Sequence, residues 1–242
     1  MTEELFLKNS YTKEFEARVV KLEGREVILD RTAFYPGGGG QPPDKGSLGI
    51  GPINAMVVDV RREGGEVVHV MDRPIPDTVR DLKGALEWER RFAHMRYHTA
   101  LHVLSGVIWR NFDARVTGGQ MRADRARMDF SFPGEWTAGV VGEIERLTND
   151  ALAEERPVRV YELERERALA NPDLIRTQVN LVPERVRRIR IVEIKGLDTQ
   201  ADGGTHVANT RDVGQIKVTG YESKGRINKR IRIELVDAIP DA

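Results

Sequence analysis

The apolar residues change period near residue 89, and this change limits the possible folds more than any other feature of the chain. Before it, the chain runs in short alternating stretches. "FEARVVKL" (15–22) and "REVILD" (25–30) flank Glu23-Gly24, while "NAMVVDVRR" (54–62) and "EVVHVMD" (66–72) flank Glu63-Gly64-Gly65. Alternating runs around glycine turns predict β-hairpins, and several within 80 residues predict a small barrel. A Gly/Pro-dense loop, "FYPGGGGQPPDKG", lies between the hairpins, and "DRPIPDT" (72–78) reads as a linker because its two prolines resist regular structure.

From Glu89 the spacing is helical. Tyr97, Leu101, Leu104 and Ile108 share one face. Trp136, Val140, Ile144, Leu147 and Ala151 predict a second helix, closed by Pro157. "ARVTGGQM" and "RARMDFSF" read as a strand pair, with further strands at "VRVYEL", "RRIRIVEI", "GQIKVTGYES" and "RINKRIRIELVD". The expected fold is α+β. Residues 1–80 form a β-rich, barrel-like domain with a glycine-rich loop. Residues 85–242 form a two-layer α/β domain, with two main helices on an antiparallel sheet.

Composition removes several classes of chemistry. There are no cysteines among the 242 residues, so disulfides, thiol catalysis and thiolate metal ligation are excluded. The start shows no basic stretch followed by a long apolar run, and no apolar segment is long enough to span a bilayer. No membrane association is expected, and a cytoplasmic location follows. The formal net charge is zero, so nothing draws the whole chain toward nucleic acid.

The five histidines carry more information. "HMRYHTALH" puts His98 and His102 four residues apart, on one helical face and one turn from each other. Far downstream, "DTQADGGTHVANT" (198–210) offers Asp202 and His206 around a glycine pair. Glycines let a loop bring its flanking side chains close to a helix. Two helical histidines and a loop pair supply four ligands, or three plus a water, which is the ligand count of tetrahedral zinc. The alternative reading is that Asp202 caps a turn and His206 is packed. His69 and His94 fit neither motif and read as surface or packing residues.

Together these stretches resemble the signature of alanyl-tRNA editing domains. That family carries a His-x3-His helix and a Cys-Gly-Gly-Thr-His loop that bind zinc, and the threonyl-tRNA synthetase editing domain is a relative. "TAFYPGGGGQPPDKG" (32–46) is similar to the family's glycine-rich stretch, and "RMDFSF" (127–132) to its Arg-x-Asp-Phe strand. The four stretches run in family order over roughly residues 30–220, and the chain length suits the freestanding, medium-length AlaX type. The resemblance implies zinc on His98, His102, Asp202 and His206, with catalytic roles for Thr32, Gln41, His98 and His102. It implies substrate binding by Thr32, Gly38, Gly39, Gly40 and Gln41. One position departs: Asp202 stands where the family usually has cysteine. A carboxylate either keeps the fourth ligand, at about 2.0–2.2 Å, or leaves three histidines and a water.

The implied activity is hydrolysis of the ester on mischarged tRNA(Ala), acting in trans, on seryl-tRNA(Ala) and also glycyl-tRNA(Ala). An alanine-sized pocket rejects serine by only about a hundredfold, so a second site that hydrogen-bonds the hydroxyl is needed. Thr32 matches the threonine associated with serine recognition in the family. The zinc either polarises the carbonyl, generates hydroxide or grips the α-amino group. Two alternatives stand: editing of a different mischarged tRNA, and an RNA-binding module with a degenerate metal site. Candidate phosphate contacts are Arg185, Arg187, Arg188 and Arg190, with Lys224, Arg226, Lys229, Arg230 and Arg232. Alternation predicts basic stripes from Arg188 with Arg190 and from Arg230 with Arg232. The expected tRNA affinity is modest and salt-dependent, and the oligomeric state is left open.

Overall fold

The computed structural model describes residues 2–132, 134–171, 174, 186–225 and 227–236. The chain divides into two compact units, Met1–Met95 and Arg96–Ala242.

In the first unit six antiparallel strands close a barrel. They are β1 (Glu14–Glu23), β2 (Glu26–Leu29), β3 (Gly46–Ile50), β4 (Ile53–Glu63), β5 (Glu66–Met71) and β6 (Asp81–Leu86). The order around the barrel is β1-β2-β5-β4-β3-β6, and β6 pairs back onto β1. Both expected hairpins are present, with Gly24, Gly64 and Gly65 at positive φ in their turns. The closing strand β6, "DLKGAL", follows the proline-rich linker and has too little β-branched character to stand out in the sequence. The inward residues, including Val27, Leu29, Phe34, Leu48, Val57, Met71 and Leu82, form one buried cluster.

The loop between β2 and β3 is fastened from within this unit. Asp44 accepts from Tyr35 N at 2.6 Å and, at 3.0 Å on each oxygen, from Arg91 Nε. Arg91 Nη1 also donates to Ser10 O at 2.9 Å, and both Arg91 and Asp44 are buried. Gly38 and Gln41 exchange backbone hydrogen bonds of 3.0 and 2.9 Å, and Tyr35 Oη donates to Gly38 O at 3.0 Å. Gly37, Gly38, Gly39 and Gly40 all have positive φ, from 57° to 136°. A side chain at any of these four positions would meet backbone strain.

Helix α1 (Trp88–Phe112) runs from the first unit into the second. Every residue from His94 to Ile108 is buried, including the four expected on one face. A helix covered all round shows little amphipathic contrast, so its spacing undersells its burial. In the second unit β7 (Arg115–Met121), β8 (Ala126–Ser131), β12 (Ile216–Ser223) and β13 (Asn228–Leu235) form a four-stranded sheet ordered β12-β13-β8-β7. A separate sheet contains β9 (Val158–Glu164), β10 (Arg188–Ile194) and β11 (Asp198–Ala201) in sequence order. Both sheets are antiparallel, so the second unit carries two antiparallel sheets rather than the one expected.

Helix α2 (Ala138–Ala153) begins later than its apolar spacing suggests. Thr137 is the N-cap and accepts from Val140 N at 3.3 Å. Trp136 therefore lies outside the helix, packed edge-on to Phe132 with centroids 5.6 Å apart. The buried stripe is Val141, Ile144, Thr148, Ala151 and Leu152. No helix among the described residues is long and apolar enough to cross a membrane.

Candidate metal centre

Two segments build the site. Helix α1 presents His98 and His102, with ring centroids 5.2 Å apart. Strand β11 ends at Ala201, and the following turn carries Asp202 and His206. The His206 ring lies 4.2 Å from that of His98 and 4.9 Å from that of His102. One ligand atom from each of His98, His102, Asp202 and His206 falls within 4.8 Å of the others.

The glycine turn holds its shape by hydrogen bonding. Asp202 Oδ1 accepts from Gly204 N at 2.6 Å, Asp202 N donates to Arg190 O at 3.1 Å, and Arg190 Nη1 donates to Asp202 O at 2.9 Å. Val207 N donates to Thr99 Oγ1 at 3.2 Å, which ties the turn to helix α1. The turn-capping role and the ligand role of Asp202 are thus compatible. Its Oδ2 lies 3.3 Å from His98 Nε2 and 3.7 Å from His102 Nε2, and its Oδ1 lies 3.8 Å from His206 Nε2.

These residues fit a metal. Bonds of about 2.0–2.1 Å in a tetrahedron give ligand separations of roughly 3.3–3.5 Å, close to those between Asp202 and the three imidazoles. Both ring nitrogens of His206 are buried without a hydrogen-bond partner among the described residues. A buried polar atom left unbonded is costly, and a cation would satisfy it. Asp202 is held ionised well below the ordinary carboxylate range. Burial works against this, but the charges and hydrogen bonds of His98 and His102 outweigh it. Burial, helped by the charge of His98, pushes His206 well below the usual imidazole range, which keeps it neutral. An ionised carboxylate and a neutral imidazole are the forms that bind a cation.

Asp198 is a further residue of the candidate site, one without a signal of its own in the sequence. Its Oδ2 lies 2.8 Å from His102 Nδ1. A carboxylate accepts only, so His102 carries a proton on Nδ1 and turns Nε2 toward Asp202. Gln200 Nε2 donates to both Asp198 oxygens, at 3.1 and 2.9 Å. Gly106, one turn beyond His102, makes room for this contact: a Cβ there would stand 3.2 Å from Leu197 Cγ and 3.3 Å from Asp198 Cβ. Replacing Asp198 with alanine is expected to weaken metal binding about 10–100-fold, as judged by competition with a chromogenic chelator.

Burial alone would lower the pKa of His102, but its bonds to Asp198 and Asp202 raise it to about 10. The metal-free imidazole is therefore protonated at neutral pH, and a metal must displace that proton. Apparent metal affinity is expected to rise close to tenfold per pH unit between about pH 7 and 9, with roughly one proton released per ion bound. Calorimetry in buffers of different ionisation heat measures both quantities.

The remaining expected site residues belong to the first unit. Thr32 is buried, and its Oγ1 lies 2.8 Å from His69 Nε2 and accepts from Phe34 N at 3.1 Å. His69 Nδ1 lies 3.0 Å from Val27 O and must donate to it, so Nε2 accepts the Thr32 hydroxyl proton. Burial keeps His69 neutral, with its pKa lowered to about 4. Gln41 is buried beside Gly38, Gly39 and Gly40 in the fastened loop. His94 is buried and does not belong to the four-residue cluster.

Three of the four arginines of the expected basic stripes face carboxylates, and the fourth, Arg190, donates to the Asp202 carbonyl. Arg230 donates to both oxygens of Asp129 at 2.6 and 2.7 Å, Arg232 pairs with Glu222 at 2.9 Å, and Arg188 pairs with Glu162 at 2.8 Å. Cross-strand pairing places these acids opposite the arginines, which reading each strand by itself does not reveal. Arg185 and Arg226 lie outside the described residues.

The chain also matches known proteins in sequence. The sequence profile for the threonyl and alanyl tRNA synthetase second additional domain matches residues 189–232, which include Asp202 and His206. A class II (A) tRNA synthetase profile matches residues 2–81. An alanyl-tRNA editing protein AlaX-M of Saccharolobus solfataricus is 41% identical over 96% of this chain and 98% of its own length. The chain belongs to the alanyl-tRNA editing protein family, AlaX-M type. A second AlaX-M protein, from Methanosarcina barkeri, is 37% identical over 98% of the chain and all of its own length. An alanine–tRNA ligase of Pyrobaculum neutrophilum is 39% identical over 91% of the chain, but the match covers 25% of the ligase. AlaX-M similarity thus runs nearly end to end, whereas the ligase matches only through one segment.

Proposed function

We propose that this chain hydrolyses the ester of mischarged tRNA(Ala) in trans, with seryl-tRNA(Ala) as its main substrate and glycyl-tRNA(Ala) as a second. The chain belongs to a family of deacylating hydrolases. The observation that carries the reading is the convergence of His98, His102, Asp202 and His206 in a chain related end to end to AlaX-M proteins.

The resident ion is proposed to be zinc, since three imidazoles and a carboxylate are ligands it accepts. When bound, zinc supplies Lewis acidity toward the ester or its amino group, and a water of lowered pKa. The surrounding residues set up that chemistry. Asp198 holds the proton on His102 Nδ1, and the Asp202 turn keeps its carboxylate directed at helix α1. Thr32, Gln41 and Gly38–Gly40 are proposed to recognise the aminoacyl group. A site that hydrogen-bonds the seryl hydroxyl discriminates against alanine, which has no such donor and leaves the site's polar groups unpaired.

The test is release of amino acid from seryl-, glycyl- and alanyl-tRNA(Ala), before and after chelator treatment. Serine is expected to be released in preference to alanine. Chelation is expected to stop release, and added zinc to restore it. Equal release from the three tRNAs would contradict the specificity, and full activity after verified metal removal would contradict the metal role. Faster release of serine from tRNA(Thr) than from tRNA(Ala) would favour editing of a different tRNA.

A further inference from the structure

We propose that the β7–β8 hairpin, with the end of helix α1, is a docking surface for the phosphate backbone of the tRNA substrate. This rests on the deacylase reading above. Arg110, Arg115, Arg122 and Arg125 are all exposed there. None of the four forms an ion pair with a carboxylate among the described residues, in contrast to Arg188, Arg230 and Arg232. Asp113 and Asp124 are the acids within the same stretch, so residues 110–125 carry four positive and two negative charges, a surplus of two in a chain whose net charge is zero. The Arg115 guanidinium sits over the Trp109 ring, 5.5 Å from its centroid, which limits its freedom and leaves its donors to solvent.

A second feature points the same way. β7 is an edge strand of its sheet, and its centre is Gly118-Gly119. The pairing shifts register beside Gly118, where Thr117 is the extra residue, but neither glycine has a positive φ. A Cβ at Gly118 would come no closer than 3.7 Å to any neighbour, and at Gly119 no closer than 3.8 Å. Internal packing therefore does not demand glycine, although glycine weakens a strand. An edge that no described strand covers, flanked by arginines with no carboxylate partner among the described residues, leaves room for a sugar-phosphate chain to approach, with backbone N–H groups and guanidinium forks as its donors. Zero net charge keeps the attraction local to this surface.

The experiment compares the full-length protein with the triple variant Arg115→Ala, Arg122→Ala, Arg125→Ala, and separately with Gly119→Thr. Deacylated tRNA binding is measured by filter retention between 50 and 200 mM salt, and hydrolysis is measured on seryl-tRNA(Ala) and on a seryl ester of adenosine. The triple variant is expected to bind tRNA about 30-fold more weakly, with a salt slope shallower by roughly 2. Its hydrolysis of the small ester and its metal content should match the parent. Gly119→Thr should be at least as stable as the parent and still bind tRNA more weakly, a combination that a purely structural role would not produce. Unchanged tRNA affinity and salt slope in the triple variant would overturn the proposal. So would a shift from oligomer to monomer by sedimentation, which would make this edge a contact between copies of the chain. A parent protein that binds tRNA but cleaves neither ester would sink the deacylase reading while leaving the docking comparison interpretable.

Discussion

His206→Ala is expected to empty the metal centre and reduce deacylation of seryl-tRNA(Ala) by roughly 10³-fold, the equivalent of about 4 kcal/mol of transition-state stabilisation. The imidazole is buried, and neither nitrogen makes a hydrogen bond among the described residues, so their polar network does not depend on it. The fold should survive, with the cost of a small cavity. Elemental analysis of the purified variant should find metal far below one equivalent, while its circular dichroism matches the parent. Asp202→Ala should fall between the variant and the parent, because a water can take the fourth position. Retained metal and activity in His206→Ala would show that the ion, if any, does not use this residue.

Arg91→Ala is expected to be the most destabilising single change in the barrel unit, at about 3–5 kcal/mol. The substitution strands a buried carboxylate: Asp44 loses its cation, and the carbonyl of Ser10 loses a donor. The effect should appear as a lower denaturant midpoint for the barrel, with the metal content of the second unit unchanged. Arg91→Met combined with Asp44→Leu should cost less than the sum of the two single changes, because no charge is then left unpaired. Additive losses would show that the two side chains act independently.

These two sites differ in how clearly the sequence announces them. His98 and His102 stand out because a four-residue spacing on a helix fixes their relative direction, and Asp202 and His206 stand out because glycine turns leave few readings. Asp198, in the same stretch, does not stand out. An aspartate in a strand has no local signature, and its value depends on a helix glycine, Gly106, located 92 residues earlier. Arg91 and Asp44 were hidden for a similar reason, since their pairing crosses 47 residues of chain. In the fold, the hairpins were legible from alternation and turns. The closing strand β6 and the split of the second unit into two sheets were not, because both are set by which strands meet rather than by any strand's composition. The ion pairs of Arg188, Arg230 and Arg232 were hidden on the same ground: the carboxylates they face lie on neighbouring strands.

The account rests on one ion held by residues from helix α1 and the turn after β11. X-ray diffraction from crystals of the purified protein, recorded on both sides of the zinc absorption edge, tests this directly. The expected result is a single strong anomalous peak, present only above the edge, bonded to His98, His102 and His206 with Asp202 or a water as the fourth ligand. A water molecule or empty density among the three imidazoles, in protein that still releases serine from tRNA(Ala), would contradict it.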